Sequence, residues 1–396
     1  MGVWVGPMQL IFANIPEFEE KKAELPDAAF LSYKPDIEGF KKYWQEFGSF
    51  KNILLIGNGG SVTGLMGIYG CFGAQSGKHV EFLSTVDPEY IANIKMRLPK
   101  HNTLVIAISK SGQTVSQIEA LMHFLDYTLL FITAKDSTLA QIGGKAGATI
   151  AEHPNIGGRY TAFTEVSLIP AAICGIDISA LYFGAKDFYA KYRQNNIAMK
   201  AAQILFALEN RGIVDVFLPV YSHNLFYFSN LIVQLCHESF GKNGSGQTYF
   251  AHEAPESQHH TNQRFFGGRK NIAGFFLRAE NFRQDAPTLM PAGMHGIPLR
   301  DGSLFDLNKI PLSFAMDAEF SGTWEDAKIH GIPVLALSLT ILEPKEIGQF
   351  IAFWQTFAVY SSILRSVDPF DQPQVESSKL ISWKTLRDGK NGHKNL

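Results

Sequence analysis

Cysteine is scarce. The 396 residues contain three, Cys71, Cys174 and Cys236, far apart in the chain. That number and spacing exclude a disulfide framework and a cysteine-based zinc site. Each lies in an apolar stretch, where a thiol behaves as a small hydrophobe, and a reducing, cytoplasmic compartment is the expectation. An excess of charge is also missing: 35 Lys and Arg face 37 Asp and Glu, a net charge of −2. No basic face is therefore available to grip a nucleic-acid backbone, and no nucleic-acid partner is expected. No uncharged apolar run of about 18 residues occurs, so no membrane span is expected. The start of the chain (MGVWVGPMQLIFANIPEFEE) is apolar but has neither a basic n-region nor a small-residue cleavage site, and is not read as a signal peptide. The phosphate-binding pattern GxxxxGK(S/T) is absent, which disfavours nucleotide hydrolysis. There is no low-complexity tract and no short-period repeat.

What is present is core material. Apolar residues make up 46% of the chain and charged residues 18%, ample for a buried interior and unlike a disordered segment. The aromatic load is uneven, with 31 Phe against 13 Tyr and 5 Trp. Phe has no polar handle, so most of these are expected to fill core. At roughly 150 residues per domain, the length suggests two domains or one large α/β unit.

From residue 50, short apolar runs alternate with helical patterns. Runs at 52–56 (NILLI), 80–84, 103–108, 128–133 and 148–151 read as strands, with helices at 61–72, 115–125 and 162–174. This alternation predicts a parallel sheet covered by helices on both faces. After a helical connector over 187–209, a second series follows: strands at 214–219, 271–277 and 332–338, and helices at 223–238 and 344–367. Pro344 is well placed at a helix start. Residues 368–371 (DPFD) break the pattern, and a last helix begins near Gln372. Residues 287–322, rich in Pro and Gly, read as surface loop, and the polar tail after Arg387 as frayed. The expected organisation is an N-terminal extension (1–45), a first α/β unit (46–185), a second (186–366), and a C-terminal helix and tail (367–396).

Two strand–loop–helix junctions are shaped for an anion. In the first, Gly57-Asn58-Gly59-Gly60-Ser61 follows a strand. Glycines let backbone N–H groups approach an anion at a helix start. The third glycine of a dinucleotide fingerprint falls at Val62, so that reading fails. A tight turn without ligand is the alternative. In the second, Ser109-Lys110-Ser111-Gly112-Gln113-Thr114 brings three hydroxyls and a lysine to a helix start. One cap residue would suffice for the helix, so phosphate binding is the better reading.

A GGS turn followed by an SKSGQT loop resembles the sugar isomerase (SIS) domain, a flavodoxin-like unit that binds phosphosugars. Further stretches narrow the resemblance. Gly157-Gly158-Arg159-Tyr160, with the helix ending in Gly175-Ile176-Asp177, resembles the GGR(Y/F)S…GLLPAA…GID signature of the glucose-6-phosphate isomerase family. Gln234 and Glu238, four apart on one helical face, lie in a stretch resembling the family's ES-x-GK segment. Gln258-His259-His260 resembles its QH segment. Residues 370–379 (FDQPQVESSK) resemble FDQ-x-GVE-x-GK, with Pro373, Gln374 and Ser378 as departures. The six motifs occur in the family's order across residues 50–380. The loop between Glu238 and His259 is shorter than is common in the family and lacks its GEPG sequence.

The resemblance implies two SIS-type doubly wound α/β units and an aldose–ketose isomerase. Glucose 6-phosphate and fructose 6-phosphate are the implied substrates. It implies that Ser109, Lys110, Ser111 and Thr114 hold the phosphate, with help from Gly60, Ser61 and Gln234. It makes Glu238 the base that moves a proton between C1 and C2, and Arg159 the holder of the enediolate charge. His259 and Lys379 are implied to open the sugar ring, and Gln372 to line the substrate pocket. The histidine register rests on one glutamine, so His260 competes with His259. In the family a partner subunit supplies this histidine, which implies a homodimer. No metal or organic cofactor is required. A metal site built from His237, Glu238, His252, Glu253, His259 and His260 is the rival, but no HExxH or other helical ligand spacing is present. A broader isomerase that also takes mannose 6-phosphate, and a non-catalytic phosphosugar sensor, are the alternatives. A sensor would need the phosphate loops but not Glu238, Arg159 or Lys379.

Overall fold

The computed structural model describes residues 2–5, 8–21 and 24–392. The chain divides into two compact units that are not consecutive in sequence. The first comprises residues 24–179, 230–245 and 361–396, the second residues 1–23, 180–229 and 246–360.

The first unit is built on a five-stranded parallel sheet. Its spatial order is His79–Leu83, Asn52–Ile56, Thr103–Ser109, Thr128–Thr133, Thr149–Glu152. The central strands are buried on both faces, as their unbroken Val, Ile and Leu runs require. Leu54, Ile56, Val105, Ala107, Phe124 and Phe131 form one side of the core. The chain enters at the second position, crosses to the first, then returns to the third. Successive crossovers therefore leave in opposite directions between Asn52–Ile56 and Thr103–Ser109, and a doubly wound sheet binds its ligands at that switch point. Both anion-shaped loops leave the carboxyl ends of these two strands.

The second unit has a six-stranded mixed sheet, ordered Gly2–Val5, Met8–Ala13, Val334–Leu339, Ile272–Ala279, Asp215–Tyr221, Thr248–Glu253. The last four strands are parallel and the first two antiparallel. The chain start is thus an edge of this sheet and not an extension. Met8 and Leu10 are buried in alternation, a pattern that shows a strand without showing its distant partner. Thr248–Glu253, also not expected, closes the other edge. Only Tyr249 in it is fully buried, and its apolar stretch Tyr249-Phe250-Ala251 is too short to stand out as a strand.

Several helices differ from the sequence reading. Residues 312–329, within and beyond the expected surface loop, form the helix Leu312–Ile329. Phe320, Thr323, Trp324 and Ala327 are its buried stripe, at the 3.6-residue period. Pro88–Arg97 and Thr138–Ala146, capped by Asp87 and Ser137, fill the remaining crossovers. The connector is two helices, Ile178–Tyr189 and Ile197–Glu209. The expected helix at 223–238 is broken into His223–Phe226 and Ser229–Phe240. The helix Glu376–Gly392 continues past Arg387, and residues 393–396 lie outside the described residues.

Among the described residues one helix, Pro344–Leu364, is long and apolar enough to cross a membrane. It is buried along nearly its whole length and carries buried Gln355, Thr356, Ser361 and Ser362, as a core helix does. In the second unit its Trp354 ring lies 5.1 Å from Phe275. The Phe load fills core as expected, with Phe183, Phe305, Phe314 and Phe370 on the surface. The three cysteines are buried and form no disulfide with one another.

Ile178–Tyr189 meets Pro344–Leu364 backbone against backbone. A methyl group on Gly184 would lie 1.9 Å from the Lys345 carbonyl oxygen, and one on Gly348 2.0 Å from that of Leu181. Gly184→Ala is therefore expected to destabilise by about 1–3 kcal/mol. Gly322→Ala, in an exposed helix interior with open space around it, is expected to stabilise by about 0.4–1 kcal/mol. Urea midpoints of the two variants check both signs.

Candidate active site

Glycine makes the first loop possible. The chain leaves Asn52–Ile56 and turns at Gly59, whose φ is 54°. A methyl group on Gly60 would lie 2.1 Å from the carbonyl carbon of Gly158, 2.2 Å from its oxygen and 2.6 Å from the Arg159 nitrogen. The GGS turn is thus pressed onto the GGR turn with no room for a side chain. The Thr161 hydroxyl ties them, bonding the carbonyls of Gly158 at 2.7 Å and Gly60 at 3.3 Å. Ser61 closes the short turn Gly59–Ser61 before the helix Thr63–Ser76.

Hydroxyls shape the second loop from within. Ser109, at the end of its strand, accepts from the Gly112 N–H at 3.1 Å and stands 3.5 Å from the Thr114 hydroxyl. Ser111 accepts from the Gln113 N–H at 3.2 Å. Thr114 precedes the helix Val115–Leu121 without capping it through its side chain, so helix capping does not account for all three hydroxyls. Lys110 is exposed beside them. The buried Gln117 amide donates to the carbonyls of Ile56 at 3.0 Å and Ile108 at 2.8 Å. It thereby pins the ends of the two strands from which both loops spring.

Beside these loops lies Arg159, almost fully buried. All five of its N–H groups are used. Nε donates to the Ser239 hydroxyl at 2.9 Å. Nη1 donates to Glu238 Oε2 at 3.1 Å and Gln372 Oε1 at 2.8 Å. Nη2 donates to the carbonyls of Pro369 at 2.6 Å and Asp371 at 3.0 Å. A guanidinium has five donors in a rigid fork, so its plane and rotation are fixed. The Glu238 carboxylate, a quarter exposed, takes a second bond from Gln234 Nε2 at 3.0 Å, and Gln234 Oε1 accepts from the Thr63 hydroxyl at 3.0 Å. Thr63, Gln234, Glu238 and Arg159 thus form one chain of hydrogen bonds. Gln234 also faces the first loop: a methyl group on Gly59 would lie 2.9 Å from its Nε2. The cluster holds a base, a fixed cation and, at its edge, two loops rich in donors. Such a set can abstract a carbon-bound proton and hold the resulting negative charge.

Not every expected residue joins it. Lys379 is exposed on Glu376–Gly392 and pairs with Glu376 of its own helix at 2.7 Å. Gln372 lies before that helix, ahead of the turn Pro373–Val375, so helical spacing does not relate it to Lys379. Gln372 reaches the cluster through Arg159. His259 belongs to the second unit, where it is exposed at the end of the turn Glu256–His259. His260 follows, with Nδ1 2.6 Å from the Thr261 hydroxyl and its ring edge-on to His252 at 5.1 Å. Burial, and secondarily His260, hold His252 below its ordinary pKa. Among the described residues no group of three or more His, Cys, Asp or Glu side chains is arranged to hold a metal ion.

Other functional contacts were not expected. Ser239 and Tyr160 lie beside Glu238 and Arg159 inside the ES-x-GK and GGR(Y/F) stretches, and that placement is their only signal. The Tyr160 hydroxyl bonds Ser239 Oγ at 3.0 Å and the Pro369 carbonyl at 3.1 Å, and burial pushes its pKa up. Thr63 and Gln117 had no signal in the sequence, because their partners are far away along the chain.

Comparison with known proteins gives consistent matches. A family model described as phosphoglucose isomerase matches residues 36–273. A protein of Methanococcus maripaludis named probable glucose-6-phosphate isomerase is 30% identical, over 86% of this chain and 80% of its own length. The glucose-6-phosphate isomerase of Thermus thermophilus is 30% identical over 85% and 84%. Among solved structures, a hypothetical protein of Thermus thermophilus superposes with a TM-score of 0.81 at 27% identity, covering 88% and 87% of the two chains. A glucose-6-phosphate isomerase of Chlamydia trachomatis shares the fold, with a TM-score of 0.75 at 18% identity over 89% and 73%.

Two expectations follow from the geometry. Ser239→Ala leaves the buried Arg159 Nε–H without its acceptor and is expected to cost about 1–3 kcal/mol, seen as a lowered denaturation midpoint. His153, buried at the end of Thr149–Glu152 with Nδ1 2.7 Å from the Pro154 carbonyl, has its pKa lowered first by burial and then by Lys110. The unfolded chain therefore binds this proton at a higher pH than the native one. Stability should be full above about pH 6.5 and fall as the pH drops below it. His153→Gln is expected to flatten that limb of the stability–pH curve.

Proposed function

The chain belongs to the phosphoglucose isomerase family, and from that premise we propose how its side chains divide the reaction. It is an isomerase, and it interconverts glucose 6-phosphate and fructose 6-phosphate. The observation that carries the assignment of roles is the Glu238–Arg159 pair, a largely sheltered carboxylate against a fully saturated, fixed guanidinium.

The phosphate is held by Ser109, Lys110, Ser111 and Thr114 and by the Gly60–Ser61 backbone, with Gln234 at the edge. His259 and Lys379 open the ring, His260 being the alternative to His259. Glu238 then takes the proton from C2 of the open aldose and returns it to C1, through a cis-enediol. Arg159 Nη1, the edge of the guanidinium bonded to the exposed Gln372 side chain, faces the developing enediolate oxygen. Because the other three N–H groups are anchored, the cation need not reorganise as charge develops, which is how a buried donor lowers a barrier. A sensor of phosphosugars would have no use for that pair. The protein acts as a homodimer in which a partner copy supplies His259. The buried cysteines, none in a disulfide, favour a reducing, cytoplasmic setting.

A coupled assay with fructose 6-phosphate in EDTA tests these roles. Activity is expected to survive chelation. Glu238→Gln should lower kcat by about 10²–10⁴-fold and Arg159→Lys by about 10²–10³-fold. Full activity in Glu238→Gln would remove that residue from its role. His259→Ala is expected to lower activity, and His260→Ala to leave it near wild type. Mixing His259→Ala with Glu238→Gln subunits should restore part of the activity, because one site of each mixed dimer is then complete. No restoration would count against the shared site.

A further inference from the structure

Lys242 ends the ES-x-GK stretch, and the roles above leave it without a task. It is buried, with only 7% of its surface exposed, and a buried ammonium is costly unless it is fully partnered. It has partners for all three of its donors: the carbonyl of Asp368, the carbonyl of Asp371 at 2.7 Å and the carboxylate of Asp371. The segment 368–372 that supplies them has no regular secondary structure. Its carbonyls bond to side chains of the first unit: Pro369 to Arg159 and Tyr160, Asp371 to Arg159 and Lys242, Asp368 to Lys242. The Asp371 carbonyl is therefore shared by two cations, with the carboxylates of Asp371 and Glu238 balancing their charge.

We propose that Lys242 is a positioning residue, which fixes the strap 368–372 so that the strap in turn holds Arg159 against Glu238. The strap's carbonyls take both protons of Arg159 Nη2, and its Gln372 takes one of Nη1. The strap's shape thus decides the rotation of the guanidinium. Lys242 is the second cation on the Asp371 carbonyl and also holds the strap through the Asp368 carbonyl. Without it the Asp368 carbonyl loses its cation and the Asp371 carbonyl keeps only Arg159, the strap relaxes, and the guanidinium loses the geometry that faces the reacting oxygens. All three donors of Lys242 go to the strap and none to the phosphate loops, so substrate binding should change little. This inference rests on Arg159 and Glu238 acting as proposed above.

The test is a kinetic double-mutant cycle on the full chain, with fructose 6-phosphate as substrate. Lys242→Met is expected to lower kcat by about 10–100-fold, the scale of a displaced catalytic group, with KM nearly unchanged. In an Arg159→Lys background the same substitution should cost only a small fraction of that, since residues acting through one another are not additive. Equal losses in both backgrounds would make Lys242 independent of Arg159 and overturn the inference. So would a wild-type kcat in Lys242→Met. If Lys242→Met does not fold, Lys242→Gln, which keeps donors for the carbonyls, is read instead. It should show a smaller loss in kcat with KM unchanged, and a wild-type kcat there also overturns the inference. A wild-type chain without isomerase activity would overturn the proposed function itself and this inference with it.

Discussion

The guanidinium of Arg159 is the constraint on which the site depends. It is a buried cation with five donors, and every donor meets an acceptor. Leaving any of them unpaired would cost more than a typical hydrogen bond returns, so the surroundings are held to a narrow geometry. Two acceptors are side chains of one helix (Glu238 and Ser239), one is a side chain of the strap (Gln372), and two are strap carbonyls. One residue therefore ties the GGR turn, the helix Ser229–Phe240 and the strap 368–372. These segments lie far apart along the chain and meet within one unit.

The loops depend on a second constraint, the absence of space. Gly60 and Gly158 touch backbone to backbone, which brings the turn after the first strand of the sheet against the turn carrying Arg159. Gln117 joins the ends of two strands through the carbonyls of Ile56 and Ile108. The anion-shaped loops thus leave a rigid sheet edge, at the switch point where doubly wound sheets bind ligands. Loop hydroxyls that look interchangeable in sequence are divided in structure. Ser109 and Ser111 accept from their own loop's N–H groups, while Thr114 leaves the helix start uncapped by its side chain.

Buried parallel strands were legible in sequence because their signal is local: a short apolar run bounded by glycine or polar residues. Thr128–Thr133 fell where expected, and the other central strands within a residue or two. Met8–Ala13, next to the edge, and the edge strand Thr248–Glu253 were not, because both are only partly buried and read as a weak alternation. The helix Leu312–Ile329 was hidden by the Pro- and Gly-rich stretch before it, although its apolar stripe is regular. In the candidate site, Glu238, Arg159, Gln234 and Gln372 were named from motifs, and the structure joins them by hydrogen bonds. Tyr160, Ser239 and Lys242 sit inside the same motifs without a legible role, since their partners (strap carbonyls for Tyr160 and Lys242, the Arg159 and Tyr160 side chains for Ser239) are brought to them only by the fold.

The sequence by itself determined the fold class, the family and the residue types available for chemistry, because each is written in local periodicity or in short motifs. It also named a carboxylate and a guanidinium without showing that they touch. Only the tertiary structure decided that Arg159 is saturated, that Lys242 and Arg159 share a carbonyl, and that Lys379 pairs within its own helix. The physical reason is range: periodicity and capping act over a few residues, whereas desolvation forces a buried charge to find partners wherever the fold brings them.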